Sequence, residues 1–528
     1  MAQNGYPKWM IDDYIKLRAT FKEHPFRIED AVKVLGKSEE SIMVLISNLR
    51  KFRLIEEALD PENPRKKIYS LKPIPVTRGD VESIMKKAAD LIRTRVDYSF
   101  ILLLLFYKRI SDKWKLEFQE TFNKLISEGY TEEEAKEIAK EKFFHQFDIP
   151  EEYLWDNIVK DKINLPQNFS KALKEIAMRN ESLRPIFDNF DFNIFVTSRD
   201  NAEILRQLVE LFDNLPLLDV SDDLLGDAYE WILMYFAPEK AKEGEVYTPR
   251  EVIDLIVEIL KPEPNHKVLD PAAGSGGMLI AAYKYIEKNY GVNEAKKLFL
   301  FGQEQNHKTA ALARMNMYIH GIQNHQIETG DSLLYPRFEL GAFNIVIANP
   351  PWNLDGYPEE VLKKNEKYKL IYKYGFTPSQ SADWAWMQLM LAAVKDDGKV
   401  GVVIDNGALF RGGKEKTIRS RIIEEDLIEA VILLPEKLFY NTSAPGAIII
   451  LNKNKPEERK GKILFINASE EYEPHPDVKK LNKLGEKNIK KIVDAYDKFE
   501  DIEGFARVVD IKEIKENDYN LNVTLYVM

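Results

Sequence analysis

The chain has 528 residues, 75 Lys and Arg against 86 Asp and Glu, and no cysteine. That length exceeds what one hydrophobic core supports, so about three domains are expected. The missing cysteine excludes disulfides, Cys-ligated zinc and a cysteine nucleophile, and no metal site is expected. No apolar run approaches the roughly 18 residues of a membrane span, and Met1-Ala2-Gln3-Asn4-Gly5 lacks the apolar core of a signal peptide, so a cytoplasmic location is expected. The net charge of −11 is uneven. Residues 1–75 hold 14 Lys and Arg against 11 Asp and Glu, a surplus of three, so the rest of the chain carries −14.

Residues 1–75 read as a winged-helix module. Ile11 to Phe21 is amphipathic, Ile28 to Gly36 is a short helix closed by glycine, and Ser38 opens a third helix through Leu49. Strand-like Leu54-Ile55-Glu56 and Lys66 to Leu71 flank the turn Asp60-Pro61-Glu62-Asn63-Pro64. Three helices and a hairpin match the DNA-binding helix-turn-helix with a wing, although many such modules contact only protein. Ser41, Asn48, Arg50, Lys51, Arg65, Lys66 and Lys67 are the residues it offers to nucleic acid. Lys72-Pro73-Ile74-Pro75 reads as a linker.

Residues 77–235 form a helical domain, with 3.6-residue apolar periodicity over Asp80–Ile92, Tyr98–Phe122 and Thr131–Phe144. Thr131 and Glu134 have the capping-box form. Residues 236–467 alternate strand and helix. Thr248-Pro249-Arg250-Glu251 reads as an N-cap, a proline at the first helical position and a capping glutamate before Val252–Leu260. Strands are predicted at Val268–Leu269, Phe299–Gln303, Ile327–Glu328, Ile345–Ala348, Val400–Ile404, Ile428–Leu434 and Ala447–Leu451. Helices separate the early ones, which implies a parallel sheet with ligands at its carboxyl edge; the last pair lacks a helix and is expected to be antiparallel. Residues 468–528 turn polar and read as a C-terminal helical tail. Lys479–Phe499 carries an apolar stripe of Leu481, Leu484, Ile489, Ile492, Val493 and Tyr496, expected to dock on a partner, with folding back on its own catalytic domain as the alternative.

Two turns carry the chemistry. Lys267-Val268-Leu269 runs into Asp270-Pro271-Ala272-Ala273-Gly274-Ser275-Gly276-Gly277 and then a helix, a turn in which glycines let backbone approach a ligand at a helix N-terminus. It matches neither the dinucleotide fingerprint nor the phosphate loop. The strand-like Phe343 to Ala348 ends in Asn349-Pro350-Pro351-Trp352. The Asn349 amide oxygen and the Pro350 carbonyl are two acceptors on a stiff turn, beside a flat ring. That arrangement suits an exocyclic amine on a planar base.

These motifs, with Val246-Tyr247-Thr248-Pro249, Leu409-Phe410-Arg411-Gly412-Gly413, Leu434-Pro435, Phe439-Tyr440-Asn441-Thr442 and Asn520-Leu521-Asn522, resemble the modification (methyltransferase) subunit of type I restriction-modification systems over about residues 77–528. The resemblance implies an α/β fold: a Rossmann-like S-adenosylmethionine-dependent methyltransferase domain, an N-terminal helical domain, an added winged-helix module and a C-terminal helical tail. It implies methyl transfer to adenine N6 of double-stranded DNA at a target set by a specificity subunit, alongside a second methyltransferase subunit and a restriction/translocase subunit. A stand-alone adenine N6 or cytosine N4 methyltransferase is the alternative. The resemblance makes Asn349, Pro350, Pro351 and Trp352 catalytic, and Trp352, Phe439 and Tyr440 the base-stacking candidates. It places S-adenosylmethionine on Tyr247, Thr248, Pro249, Asp270, Pro271, Ala272, Gly274, Ser275, Gly276, Gly277, Glu304 and Asp331. The turn at Asp270–Gly277 faces its methionine half, Glu304 its ribose and Asp331 its adenine amine. The acidic body implies that much of the phosphate contact comes from the N-terminal module or a partner subunit.

Overall fold

The computed structural model describes residues 6–74, 76–93, 95–213, 220–242 and 247–528. Pro75 of the expected linker, Val246 of the motif before Tyr247 and Met1–Gly5 lie outside them. The chain forms two compact units, residues 1–233 and 234–528, divided within the helix Asp222–Lys242.

In the first unit, helices Lys8–Phe21, Ile28–Leu35 and Glu39–Lys51 are followed by an antiparallel hairpin, β1 (Ile55–Leu59) and β2 (Lys67–Leu71). Ser38 caps the third helix, its hydroxyl accepting from Ser41 N at 3.3 Å. Tyr14, Leu17, Phe26, Leu45, Leu49 and Tyr69 form the core of this winged helix. Its basic face is partly neutralised: Arg50 and Lys67 both pair with Glu57, and Lys66 pairs with Glu29 at 2.9 Å, whereas Lys51 and Arg65 stand exposed. Met43 and Val44 stand exposed on the third helix. The expected linker is part of the module, since Ile74 is buried in its core and Tyr14 Oη donates to Lys72 O at 2.6 Å. The module also docks on the helical region through Asn123 Nδ2, which donates to Thr20 Oγ1 at 2.7 Å, and through Lys115, which reaches Asp12. There the long helix Ser99–Ser127 is buried on all sides from Ser99 to Asp112, as its unbroken apolar run requires.

The second unit is built on a nine-stranded sheet. In chain order its strands are β3 (Lys267–Asp270), β4 (Phe299–Glu304), β5 (His325–Thr329), β6 (Phe343–Ala348), β7 (Val394–Asp405), β8 (Ile428–Leu433), β9 (Gly446–Asn452), β10 (Lys462–Asn467) and β13 (Ala506–Asp510). A two-residue pair, β11 (Glu473–Pro474) and β12 (Asn482–Lys483), stands apart from it. The spatial order is β13-β10-β8-β9-β7-β6-β3-β4-β5. β9 lies antiparallel between β7 and β8, as the missing helix implied, and β13 is antiparallel to β10. The other neighbouring pairs are parallel. Strand order reverses between β3 and β6, so the crevice expected to bind ligands lies at their carboxyl ends. Alternating residues serve two cores: Ala447, Ile449 and Leu451 of β9 face one, Ile448 and Ile450 the other.

The expectation of a separate docking tail is overturned. The helix begins at Glu486 rather than Lys479 and ends at Lys498; Ile492, Ala495 and Tyr496 are buried against this unit's own sheet, with Ile489 and Val493 packed beside them. Tyr496 Oη donates to the fully buried Glu429 of β8, and Lys261 pairs with Asp497 at 2.6 Å. β13 adds an edge strand, and the last residues pack beneath the Leu409–Arg411 turn: Leu521 N donates to Leu409 O at 2.9 Å, and the buried Arg419 donates to Tyr519 O at 2.8 Å. An apolar stripe needs a cover, and this one finds it within its own chain.

Candidate active site

β3 and β6 are neighbours, Leu269 opposite Val346, so the two signature turns leave adjacent strand ends. The first turn is held from several sides. Ala272 N donates to Asp270 Oδ1 at 3.0 Å, the buried Ser332 hydroxyl donates to Pro271 O at 2.6 Å, and Asn316 Nδ2 donates to Ser275 O at 2.9 Å. Gly276 has φ +88°, which favours glycine, and a Cβ there would press on the movable end of Met317, 2.9 Å from its Cε. Gly277 begins the helix Gly277–Tyr290.

Glu304, at the end of β4, accepts from Gly274 N at 3.2 Å and from Asn306 N at 2.7 Å, which joins the second acidic position to the glycine turn. Asp331 accepts from Leu333 N at 2.9 Å and from Tyr357 Oη at 2.6 Å, so it shapes its own turn and fastens the segment after Trp352. Burial pushes the Asp270 carboxyl up to about 8, with Glu304 adding to the rise, and burial raises Glu304 as well. No basic side chain offsets either. A buried carboxyl and a half-buried one beside a glycine turn, with open space where a Gly274 Cβ would project, fit a ligand that brings a cation and hydroxyls. The methionine ammonium, the sulfonium and the ribose of S-adenosylmethionine supply these.

The second turn differs from its sequence reading in an instructive way. Thr248 does not cap the helix Arg250–Leu260, whose N-cap is Pro249 with no side-chain hydrogen bond. Its hydroxyl instead accepts from Asn349 Nδ2 at 2.8 Å, and Trp352 Nε1 donates to Asn349 Oδ1 at 2.9 Å. Asn349 is 7% exposed and its amide is held at both ends. The Trp352 ring meets Phe439 edge-on at 4.8 Å and lies over Gly446, where a Cβ would stand 2.9 Å from Trp352 Cη2. Phe439 is 2% exposed, so it is core, and its assignment as a base-stacking face is corrected. Tyr440 is half-buried, its ring 5.6 Å from that of Tyr247, and both line a small cleft with Pro249, Arg250, His475 and Lys483.

Sequence reasoning missed the clamp behind Trp352. Asn353 has φ +52°; its N–H donates to Asp383 Oδ1 and its Nδ2 to Asp405 Oδ2, each at 2.9 Å. Arg411 of the Leu-Phe-Arg-Gly-Gly turn donates to Asp383, Glu415 and Asp405. Asp383 is fully buried. One guanidinium thus holds the loop that presents Trp352, and an arginine between Phe410 and two glycines was the signal for it.

The fold and site are those of an α/β methyltransferase with an Asn-Pro-Pro-aromatic turn. Residues 220–528 match the model of the N-6 DNA Methylase family, and residues 81–212 that of the HsdM N-terminal domain. The chain is 48% identical to the type I restriction enzyme MjaVII methylase subunit of Methanocaldococcus jannaschii, over 98% of this chain and 91% of that one. It is 30% identical to the MpnII methylase subunit of Mycoplasma pneumoniae, over 85% and 89%. The crystal structure of a type I restriction-modification methyltransferase subunit from Streptococcus thermophilus superimposes with a TM-score of 0.73 at 29% identity, covering 86% of this chain and all of that one. The chain belongs to the N-6 DNA methylase family, among the type I restriction enzyme methylase subunits. No helix among the described residues is long and apolar enough to cross a membrane.

Proposed function

We infer that this chain transfers a methyl group from S-adenosylmethionine to adenine N6 in double-stranded DNA, as a cytoplasmic modification subunit. A separate specificity subunit selects the target, and a second methylase subunit and a restriction subunit complete the assembly. The observation that carries this reading is the hydrogen-bonded set Thr248–Asn349–Trp352 at the end of β6, one strand from the glycine turn at the end of β3.

An indole N–H only donates, so Trp352 fixes the Asn349 amide with its oxygen towards the ring and its nitrogen towards Thr248. Asn349 Oδ1 keeps a second lone pair. With the Pro350 carbonyl it accepts the two protons of the target amine and turns the nitrogen lone pair out of the ring plane. Asp270, Glu304 and the backbone of Gly274 to Gly277 hold the cofactor, which supplies an electrophilic methyl on sulfur. The contribution of the protein is positioning and electrostatics, with no covalent intermediate. The base reaches the site by leaving the duplex, at a cost of a few kcal/mol that stacking on Trp352 and Tyr440 offsets in part.

The direct test is transfer of tritiated methyl from S-adenosylmethionine to DNA, with and without the specificity subunit, followed by nucleoside analysis. Label in N6-methyldeoxyadenosine that depends on the second subunit is the expected result; label in a methylated deoxycytidine, or none, refutes it. Trp352→Phe keeps a ring and removes the orienting donor, so kcat falls about tenfold, the worth of about one hydrogen bond, while cofactor affinity holds. Unchanged single-turnover rates for that variant remove the orienting role.

Cofactor binding carries a pH signature. The Asp270 carboxyl, raised to about 8, is protonated in the free protein at neutral pH, and a cationic ligand prefers its ionised form. Affinity therefore rises with pH between about 6 and 7.5, approaching tenfold per unit, as a proton is released on binding. Asp270→Asn is weaker and flat over the same range. Calorimetry in buffers of different ionisation enthalpy reads the proton directly, and a wild-type profile as flat as the variant's contradicts the assignment.

A further inference from the structure

Residues 353–382, between the Asn-Pro-Pro-Trp turn and the helix Asp383–Ala393, form a closed excursion from the carboxyl edge of the sheet. Its ends are tied at the neck: Ala382 N donates to Leu354 O at 2.9 Å and Gly356 N to Ser379 O at 2.8 Å. Its middle is fastened to the turn after β5. Tyr357 Oη donates to Asp331 Oδ2 at 2.6 Å, Asn365 Nδ2 donates to Leu333 O at 2.8 Å, and the buried Tyr372 hydroxyl donates to the same carbonyl. Leu362 and Ile371 are buried beneath it. The segment is therefore an ordered part of the site's rim.

Its outer side is basic. Lys363, Lys364, Lys367, Lys369 and Lys373 are all exposed, and between the first and last of them stands one carboxylate, Glu366. Lys363 pairs with Glu359 at 3.2 Å. Among the described residues no carboxylate lies within ion-pairing distance of Lys364, Lys367, Lys369 or Lys373, whereas three of the winged helix's five candidate cations, Arg50, Lys66 and Lys67, are paired. Four unpaired ammonium groups thus stand on an ordered segment that begins at the site, on a chain of net charge −11.

We propose that this lysine-bearing segment binds the sugar–phosphate backbone of the DNA strand whose base is presented to Asn349; the proposal rests on the methyltransferase reading above. A duplex strand carries one negative charge about every 3.4 Å, and a nucleotide that turns its base into a pocket leaves its own two phosphates at the mouth. The segment starts at the residue after Trp352 and is pinned to Asp331 and Leu333, which tethers the stretch carrying these cations to the same edge of the sheet. The acidic remainder of the chain repels a polyanion, which concentrates approach on the patch. Phosphate contact is thus built into the catalytic body, beside whatever a partner supplies.

The test uses the full-length chain in complex with its specificity subunit. One variant carries Lys364→Gln, Lys367→Gln, Lys369→Gln and Lys373→Gln. A control carries Lys479→Gln, Lys480→Gln, Lys487→Gln and Lys490→Gln, the same charge change at exposed positions outside this segment. Binding to a random-sequence duplex of about 40 base pairs is followed by fluorescence anisotropy across a salt series. The slope of log affinity against log salt becomes shallower by about three in the variant and by less than about one in the control. KM for DNA rises at least tenfold, while S-adenosylmethionine affinity by calorimetry matches wild type. A variant slope equal to the wild-type slope overturns the proposal. So does loss of the specificity subunit from the complex with the slope intact, which assigns the lysines to a protein contact. A wild-type complex that binds DNA but transfers no methyl group removes the methyltransferase reading instead, so the two failures are distinguishable.

Discussion

Replacing Asn349 by alanine is expected to lower methyl transfer by at least about a thousandfold while leaving S-adenosylmethionine affinity within a few-fold. The loss is large because Asn349 Oδ1 is one of only two acceptors proposed to pull electron density onto a poorly nucleophilic amine, and such groups act at the transition state. The cofactor is spared because its proposed contacts, Asp270, Glu304 and the glycine turn, leave other strand ends. The amide is oriented before substrate arrives, by Trp352 on one side and Thr248 on the other. Asn349→Asp makes a sharper comparison. It keeps an oxygen towards Trp352 but places a second oxygen, lone pair against lone pair unless a proton intervenes, at the position from which Nδ2 donates to Thr248. Rapid-quench transfer with radiolabelled cofactor, paired with calorimetry, measures both quantities. An alanine variant with wild-type turnover removes Asn349 from the chemistry.

Truncation after Asn467 is expected to yield an unfolded or aggregated product. It removes β13, uncovering the edge of β10, and it strips the helix Glu486–Lys498 from the sheet. Glu429 of β8, fully buried, then loses the Tyr496 hydroxyl and keeps Asn452 Nδ2 at 2.7 Å and Arg459 at 3.6 Å, so one oxygen of a buried carboxylate gives up its shortest hydrogen bond. Tyr496→Ala is the graded form. A ring 2% exposed is deleted, at a cost of about 3 kcal/mol or more. Chemical denaturation of the single variant, and solubility with circular dichroism of the truncation, read these outcomes. A soluble, cooperatively folded truncation that fails only to retain its specificity subunit would restore the tail as a docking element.

Much of the site was legible in the sequence because its chemistry is local. Asp270 to Gly277 needs glycines at particular backbone angles, and Asn349-Pro350-Pro351-Trp352 needs a stiff turn after a buried strand; both requirements are met by consecutive residues. The strand–helix alternation from Arg250 to Ala393 fell on the observed elements for the same reason. What stayed hidden depends on distance along the chain. Thr248 looks like a helix cap because Thr-Pro-x-Glu has that form, and only the fold reveals that Asn349 has claimed its hydroxyl from 101 positions away. Phe439 reads as a free aromatic until β9 brings Gly446 and Trp352 against it. Arg411, Asp383 and Asp405 are unremarkable singly and become a clamp only when three segments meet at Asn353.

The tail and the first module show the same division. An amphipathic stripe specifies that a helix must be covered, and the spacing of Ile489, Ile492, Val493 and Tyr496 said so. It does not specify by what, because burial is non-directional and any apolar surface satisfies it. The sheet edge at β10 and the buried Glu429 decided that. Likewise the surplus of cations in residues 1–75 is a property of composition, whereas the pairing of Arg50, Lys66 and Lys67 with Glu57 and Glu29 is a property of the hairpin's register against the helices. The sequence by itself determined the class of fold, the two signature turns and the chemistry they serve, since backbone conformation and motif spacing are written in neighbouring residues. The tertiary structure alone decided which polar groups are already engaged, which apolar faces are closed and where unpaired charge remains, since each of these is a competition among groups that the chain brings together only on folding.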